Sequence, residues 1–338
     1  MTAEKTKSML QIGLNPYGLT YYFGLQGRGT PRVNPDGRGL EGFMELAEEL
    51  GGRTLEIAET WLAPLDHKQL TELRARLEKL GMTAVVSSGL HHGDFDTCVR
   101  AAKALGAKLI RFALTPILCG DRAAAGEKWP QLVANVREKL AAYAPRAAAE
   151  GLTIVIENHQ DFTSRELVAF CEEFGPAIRI VYDTGNSFPV AEAPLDFTRV
   201  IAPYVAHVHL KDYRVQWTDE GIRLVRCAIG DGAVPFKELV ALLAEHHATL
   251  PAVLEPGALE ARHIRLFTPD WWQGYAPKDA QALAACLLAA TRNRLPDEAD
   301  YRTPWERYAD HELVDYELAM IRKSAANMKA SGIMGGKA

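Results

Sequence analysis

The segment Thr153–Phe162, TIVIENHQDF, changes from apolar to polar within ten residues. Its first four residues are β-branched or apolar, as in a buried strand. Five polar residues, Glu157 to Asp161, follow without a break. In barrels of parallel strands the side chains at the carboxyl ends of the strands line the active site. The segment therefore predicts a buried strand and, at its end, the edge at which chemistry takes place.

Similar apolar runs alternate with helical patterns along the chain. The predicted strands are 11–15, 54–58, 83–87, 108–113, 153–157, 178–182, 205–210 and 251–255. This alternation indicates a parallel sheet with helical crossovers, and eight such units close a (β/α)8 TIM barrel of the α/β class. An open doubly wound sheet is the competing fold, but no GxGxxG or Walker motif follows any of these strands.

The residues from 297 onward do not fit the pattern of an eighth barrel helix. They indicate a loop followed by a long amphipathic helix. We therefore expect a barrel catalytic domain over residues 1–296 and a C-terminal helical arm over residues 297–338. We expect the arm to pack on the barrel or to form an oligomer contact, and a lid over the active site is the alternative.

The composition is that of an ordinary globular protein, with 338 residues, 48% hydrophobic and 24% charged. A net charge of −5 disfavours a nucleic-acid partner. The five cysteines are widely spaced and form no CxxC motif, which disfavours a disulfide framework. The sequence shows no signal peptide and no apolar run of about 18 residues. We therefore expect a cytoplasmic protein with no membrane partner.

Four consecutive predicted strands bring an acid or an imidazole to the same end of the barrel: Glu157, Asp183, His209 and Glu255. Three crowded acids would repel one another, and burial would raise their pKa values. A divalent cation removes this conflict. A set of three carboxylates and one imidazole suits one Mn²⁺ ion, with Mg²⁺ or Co²⁺ as alternatives. His207 lies one layer deeper on the same face, where we expect it to support the ligands.

The ordered motifs IVIENH, YDTGN, HVHLKD, AIGDGAVPF and LEPG resemble those of the xylose isomerase-like superfamily, the sugar phosphate isomerase/epimerase group. The resemblance covers about residues 10 to 290. It implies that Glu157, Asp183, His209 and Glu255 are the metal ligands. It also implies that the two glutamates are catalytic and exchange a proton with the substrate. The group includes epimerases, isomerases, dehydratases, sugar-acid decarboxylases, carbon-glycoside lyases and endonuclease IV.

One position departs from this resemblance. Asn186 stands where the epimerases and endonuclease IV carry a histidine, which argues against a three-metal DNA-repair site. Polar contacts to the substrate are expected from His91, His159, Asn186, Lys211 and Arg226. The alternatives are exposed loop positions for the histidines and a surface pair with Asp212 for Lys211. If Lys211 and Arg226 point inward, a sugar acid is favoured, since arginine binds carboxylates by two parallel hydrogen bonds.

A divalent metal held by carboxylates can polarise a substrate carbonyl and stabilise an enediolate. Loss and return of a proton gives isomerisation or epimerisation of a small keto sugar, which is the leading expectation. The alternative is a lyase that expels water, CO₂ or an aglycone, such as a sugar-acid decarboxylase, an inosose or dehydroshikimate dehydratase, or a carbon-glycoside deglycosidase. A non-catalytic sugar-binding barrel is a further class. We also expect a homo-oligomer.

Three predicted loops are rich in aromatic residues: NPYGLTYYFG, AETWL and FTPDWWQGY. Aromatic side chains commonly stack on sugar rings or cover apolar faces of a ligand. They equally often pack long loops together or bury an oligomer contact. The sequence leaves both interpretations open.

Overall fold

The computed structural model describes residues 9–296 and 298–334. The strands are β1 (Leu10–Leu14), β2 (Thr54–Ala58), β3 (Thr83–Gly89), β4 (Leu109–Ala113), β5 (Thr153–Glu157), β6 (Ile178–Asp183), β7 (Val205–Leu210), β8 (Tyr213–Thr218), β9 (Gly221–Arg226), β10 (Leu250–Leu254) and β11 (Arg262–Ile264). Eight of them close a parallel barrel in the order β1-β10-β7-β6-β5-β4-β3-β2. This confirms the predicted TIM barrel, and each predicted strand overlaps a barrel strand.

The helices surround this barrel. They are α1 (Gly39–Leu50), α2 (Glu59–Leu62), α3 (His67–Leu80), α4 (Phe95–Leu105), α5 (Trp129–Ala149), α6 (Ser164–Phe174), α7 (Pro194–Ile201), α8 (Phe236–Ala244), α9 (Ala280–Arg292) and α10 (Leu313–Ala330). Gly51 and Gly81 end α1 and α3 in left-handed conformations, which glycine adopts readily. Within the described residues, no helix combines the length and the apolar character needed to cross a bilayer.

The strand register places the predicted ligands near one level of the barrel. Asp183 lies directly opposite His209 in the β6–β7 pair. Glu157, at the end of β5, lies opposite Val181, which is two residues before Asp183. Since alternate residues of a strand share a face, Asp183 and Val181 point the same way. The acids and the imidazole therefore meet at the carboxyl ends of the strands.

A three-stranded antiparallel sheet, in the order β11-β9-β8, sits outside the barrel. Its inner side and α9 share a second hydrophobic core, which includes Val215, Leu224, Trp271 and Cys286. The sequence analysis missed this sheet. A signal was present: YRVQWTDEGIRLVR contains two alternating runs joined by a short turn with glycine, the pattern of a β-hairpin.

The C-terminal helix α10 is present as predicted, but it does not lie outside the ring of helices. It contacts β10, and Ile321, Ala325 and Met328 belong to the same hydrophobic core as the barrel strands. Lys329 Nζ donates a hydrogen bond of 3.1 Å to Leu50 O at the end of α1. The helix therefore covers the flank of the barrel between β10 and α1. The first residue of the predicted arm, 297, lies outside the described residues.

Glu317 ties α10 to the loop after β1. Its carboxylate is fully buried and accepts hydrogen bonds from the backbone N–H groups of Tyr21 (3.2 Å) and Tyr22 (2.7 Å). Burial raises the pKa of Glu317 to about 7, although Arg226 and the two amides favour the charged form. The folded protein therefore holds this proton more tightly than the unfolded chain does.

Because the folded protein holds the Glu317 proton more tightly, we expect the stability of the protein to depend on pH. The contribution of Glu317 to the free energy of unfolding is fully present below pH 4.5 and is lost as pH rises through about 7. Relative to Glu317→Gln, the wild type should lose roughly 3 kcal/mol across this window. Urea denaturation of both proteins at several pH values measures the difference. Asp315→Asn on the exposed face of α10 is the control, and a pH-independent difference for Glu317→Gln would contradict the prediction.

The aromatic loops pack mainly against one another. Trp271 is fully buried, stacks on Tyr275 with ring centroids 4.9 Å apart, and donates from Nε1 to Cys119 O at 3.0 Å. Phe23 makes edge contacts with Phe43 at 5.5 Å and with Trp61 at 5.7 Å. These contacts match the loop-packing interpretation of the aromatic segments.

Arg122 holds the WWQGY segment in place. Its guanidinium lies 3.9 Å from the ring centroid of Tyr275 and donates from Nη1 to Gly274 O at 2.7 Å. It also forms an ion pair with Glu166, with Nη2 and Oε2 2.5 Å apart. Because Arg122 itself is almost fully buried, its loss leaves several acceptors without a donor.

We expect Arg122→Met to lower the free energy of unfolding by about 3 kcal/mol, the lower end of the range for a buried ion pair. The lower end applies because the Glu166 side chain remains 39% exposed. The matched control is Arg137→Met, which breaks an ion pair with Glu173 whose side chains are 51% and 42% exposed. That change should cost less than about 1 kcal/mol in the same denaturation assay. Equal losses in the two variants would refute this account of Arg122.

Candidate metal centre

The structure brings the four predicted ligands together at the mouth of the barrel. One ligand atom each from Glu157, Asp183, His209 and Glu255 lies within 4.8 Å of the others. The first three residues are 0% exposed and Glu255 is 6% exposed. His209 Nδ1 is 3.0 Å from Glu255 Oε2 and 3.4 Å from Glu157 Oε1. The donor atoms therefore converge on one small, buried volume.

The donor atoms fit a divalent cation. Glu157 Oε1 and His209 Nδ1 are buried and have no hydrogen bond of acceptable geometry within the described residues. Buried polar atoms in this state usually contact water or an ion. Carboxylate oxygens and one imidazole suit Mn²⁺, Mg²⁺ or Co²⁺. A second group with suitable spacing, Glu56 with His207 and His209, is joined by its own hydrogen bonds.

Glu56, in the middle of β2, orients His209. Its Oε2 lies 2.6 Å from His209 Nε2 and 2.9 Å from His207 Nε2. His207 Nδ1 in turn lies 3.0 Å from Pro251 O. A carboxylate on one imidazole nitrogen leaves the other free to bind a metal, a common arrangement in metalloproteins. His207 thus lies beneath the ligands, at the depth that the sequence indicated.

The charges of this cluster stabilise one another. Burial alone would raise the pKa of Glu56, but His209 and His207 hold that pKa well below its usual range. Burial alone would lower the pKa of His209, but Glu56 and Glu255 raise it to about 9. A metal ion binds the neutral imidazole, so metal binding at this centre would release a proton.

Lys211 lies among the ligands. Its Nζ contacts Asp183 Oδ2 and lies 2.5 Å from Glu255 Oε1. Burial would raise the pKa of Glu255, but Lys211 and His209 hold it well below its usual range. The alternative of a surface pair with Asp212 is wrong, because the Asp212 carboxylate accepts hydrogen bonds from backbone N–H groups of residues 230, 232 and 234.

The two glutamates differ in their surroundings. Arg111 Nη2 contacts Glu157 Oε2, while Glu157 Oε1 faces His209. Glu157 is fully buried and is not among the residues that line the cavity. Glu255, which also contacts Asn15 Nδ2, borders an open cavity. The sequence analysis missed Arg111, although a single charge inside the apolar strand LIRFA was a usable signal.

The cavity at the barrel mouth has a volume of about 500 Å³. Of the residues expected to contact substrate, His91, His159 and Lys211 line it. Burial, followed by the charges of Arg111 and Lys211, lowers the pKa of His159 well below its usual value, so its imidazole is neutral. Three of the five predicted contacts are thus placed where a ligand could touch them.

The other two predicted contacts point elsewhere. Asn186 is fully buried, and its Nδ2 donates a 2.7 Å hydrogen bond to Oδ2 of the predicted metal ligand Asp183, so it does not line the cavity. Arg226 donates from Nη2 to Gly18 O at 2.6 Å and faces the C-terminal helix. The reason is its place at the end of β9, in the sheet that the sequence analysis did not anticipate.

A closed (β/α)8 barrel with buried acids and imidazoles at its strand ends has the architecture of a TIM-barrel enzyme. The chain belongs to the xylose isomerase-like TIM barrel family, whose model matches residues 44–268. This confirms the resemblance that the strand-end motifs indicated.

Similar proteins include lyases and epimerases. The 3-oxo-isoapionate decarboxylase of Pectobacterium atrosepticum is 22% identical over 73% of this chain and 85% of its own length. The uncharacterized protein YihM of Escherichia coli K12 is 27% identical over 53% of this chain, and the match spans about half, 53%, of that protein. The solved D-psicose 3-epimerase from Clostridium cellulolyticum H10 has a TM-score of 0.58 at 18% identity, covering 95% of this chain and 98% of that chain. At this identity the structural match shows the fold alone.

Proposed function

We propose that this chain is a divalent-metal-dependent enzyme that transforms a small keto sugar or keto sugar derivative through an enediolate. Glu157, Asp183, His209 and Glu255 would hold the ion, with Mn²⁺ as the first expectation. When bound, the ion would supply Lewis-acid polarisation of a substrate carbonyl. The convergence of these four buried side chains supports the proposal. A homo-oligomer in the cytoplasm remains our prediction.

The reaction class that the geometry supports best is a lyase. The observation that supports this class is that Glu255 lines the cavity, whereas Glu157 is fully buried and does not line it. Proton exchange on two faces of a substrate needs two carboxylates in contact with it. A single base, Glu255, suits removal of one proton followed by loss of a neighbouring group. Loss of CO₂ also needs only one proton transfer, because the enediolate that remains takes up a single proton, so the similarity to a decarboxylase supports the same class.

An isomerase or epimerase, which the sequence favoured first, is the second candidate. The observation in its favour is that both glutamates reach the same centre, with Oε1 of Glu157 and Oε2 of Glu255 near one nitrogen, His209 Nδ1. A proton shift between neighbouring carbons also needs only one base. The two classes therefore differ in what leaves the substrate, not in where the proton is taken.

The test is a mass-spectrometric screen of keto sugars and keto sugar acids with Mn²⁺-loaded protein in deuterated water. A product lighter by water or CO₂ is expected for the lyase. A product that keeps its atoms but gains solvent deuterium would identify an isomerase or epimerase. If no substrate reacts and treatment with a chelator changes nothing in the screen, a sugar-binding barrel is favoured. Metal analysis should find one ion per chain, whereas three zinc ions would indicate a DNA-repair site.

A further inference from the structure

Among the described residues, four buried polar atoms on residues that line the cavity have no hydrogen-bond partner. They are Arg111 Nε, His159 Nδ1, Tyr213 Oη and Arg262 Nε. The two guanidinium nitrogens and the phenol are hydrogen-bond donors, and an imidazole Nδ1 can carry a proton to donate. Buried donors are normally satisfied, so this group indicates a ligand rich in acceptor oxygens.

Arg262 reaches the cavity from the three-stranded sheet. It pairs with Leu224 of β9, and Leu224 pairs with Val215 of β8, two residues beyond Tyr213. Because directly opposed and alternate residues share a face of a sheet, Arg262 and Tyr213 project from the same side. The sheet therefore adds a cation and a hydroxyl to a site whose other polar groups come from the barrel.

Arg262 differs from the cavity residues Lys211 and Arg111 in that its positive charge is not paired with an acid of the described residues. Lys211 is paired with Asp183 and Glu255, and Arg111 with Glu157. Among the described residues, no acid lies within ion-pair distance of the Arg262 guanidinium.

The two other acids that line the cavity are bound elsewhere. Glu260 accepts a 2.8 Å hydrogen bond from Trp305 Nε1, and Glu59 accepts a 3.0 Å hydrogen bond from Asp94 N. Each of these carboxylates is therefore held by a protein donor. A ligand can bring the missing negative charge to Arg262.

We propose that Arg262, together with Tyr213 and His159, binds a carboxylate group of the substrate and so selects sugar acids over neutral sugars. One guanidinium with two further donors matches the two oxygens of a carboxylate. This inference rests on the proposed function for the rest of the substrate, but anion binding at Arg262 can be measured without turnover.

The test compares binding of D-gluconate with that of D-glucitol by calorimetry. D-gluconate carries a carboxylate where D-glucitol carries a neutral alcohol. Neither probe has the ketone or aldehyde carbonyl that the proposed reaction needs. Measurement in chelator-treated protein prevents the carboxylate from binding a metal ion. We expect D-gluconate to bind the wild type roughly 10- to 100-fold more tightly than D-glucitol, the range for a charged hydrogen bond.

Arg262→Gln should abolish this preference, and Arg262→Lys, which keeps the charge without the planar fork, should retain part of it. The matched control is Arg214→Gln, which removes the same charge from the opposite face of the sheet. Thermal unfolding of each variant confirms that the sheet is intact. A preference that survives Arg262→Gln, or wild-type binding of D-gluconate no tighter than D-glucitol, including undetectable binding of both, overturns the inference. If the wild type prefers D-gluconate and Arg262→Gln does not, but the wild type shows no metal-dependent turnover, only the proposed reaction is refuted.

Discussion

Glu255→Gln is expected to lower kcat by about 100- to 10,000-fold, the usual contribution of a general base. Glu255 is the predicted ligand that lines the cavity, and Lys211 and His209 keep its pKa well below the usual range, so it is ionised before the proton transfer. Glutamine keeps the shape but cannot accept that proton. The measurement is turnover of the substrate found by the screen, at saturating Mn²⁺ and with the bound metal quantified.

Two comparisons make this result specific. Glu260→Gln at the cavity rim removes a charge nearby without touching the metal centre, and it should leave kcat close to the wild-type value. Glu157→Gln should mainly weaken metal binding, because a Glu157 oxygen lies among the predicted ligand atoms and Glu157 does not line the cavity. If metal-loaded Glu255→Gln still exchanges substrate hydrogen with solvent while Glu157→Gln does not, the base is Glu157.

Glu56→Gln is expected to weaken Mn²⁺ binding by about 10- to 100-fold, the usual effect of removing a carboxylate behind a ligating histidine. The Glu56 carboxylate accepts hydrogen bonds only, so it keeps the His209 proton on Nε2 and leaves Nδ1 free. A glutamine amide can instead donate to Nε2 and move the proton to Nδ1. Titration of Mn²⁺ against a competing chelator measures the affinity.

The control for this prediction is Glu59→Gln, which changes an acid at the cavity edge that contacts Ser88 and not the histidines. Its Mn²⁺ affinity should match the wild type. An unchanged affinity in Glu56→Gln would show that the His209 tautomer does not depend on this contact.

The barrel was predictable because its signals are local. Short apolar runs alternate with helical patterns along the chain, and each predicted strand overlaps a barrel strand. The ends of parallel strands meet at one edge by topology alone, so Glu157, Asp183, His209 and Glu255 could be grouped before any distance was known.

The remainder of the site depends on contacts that no local pattern contains. The Glu56–His209 contact joins residues 153 positions apart, and the Arg111–Glu157 contact joins residues 46 positions apart. Glu56 and Arg111 both lie inside apolar strands, so the sequence indicates that they are buried but not which residues they contact. Arg226 shows the converse, since its position near the site was inferable and the direction of its side chain was not.

In the function that we propose, the barrel holds the reacting centre and the three-stranded sheet helps to select the substrate. Its strands add nothing to the hydrogen bonding of the barrel, which closes without them. Yet they deliver Tyr213 and Arg262 to the rim of the cavity. Residues of this sheet can therefore be exchanged by evolution, or by directed mutagenesis, while the reacting centre stays intact. This makes the sheet the natural place to retune the enzyme toward another molecule.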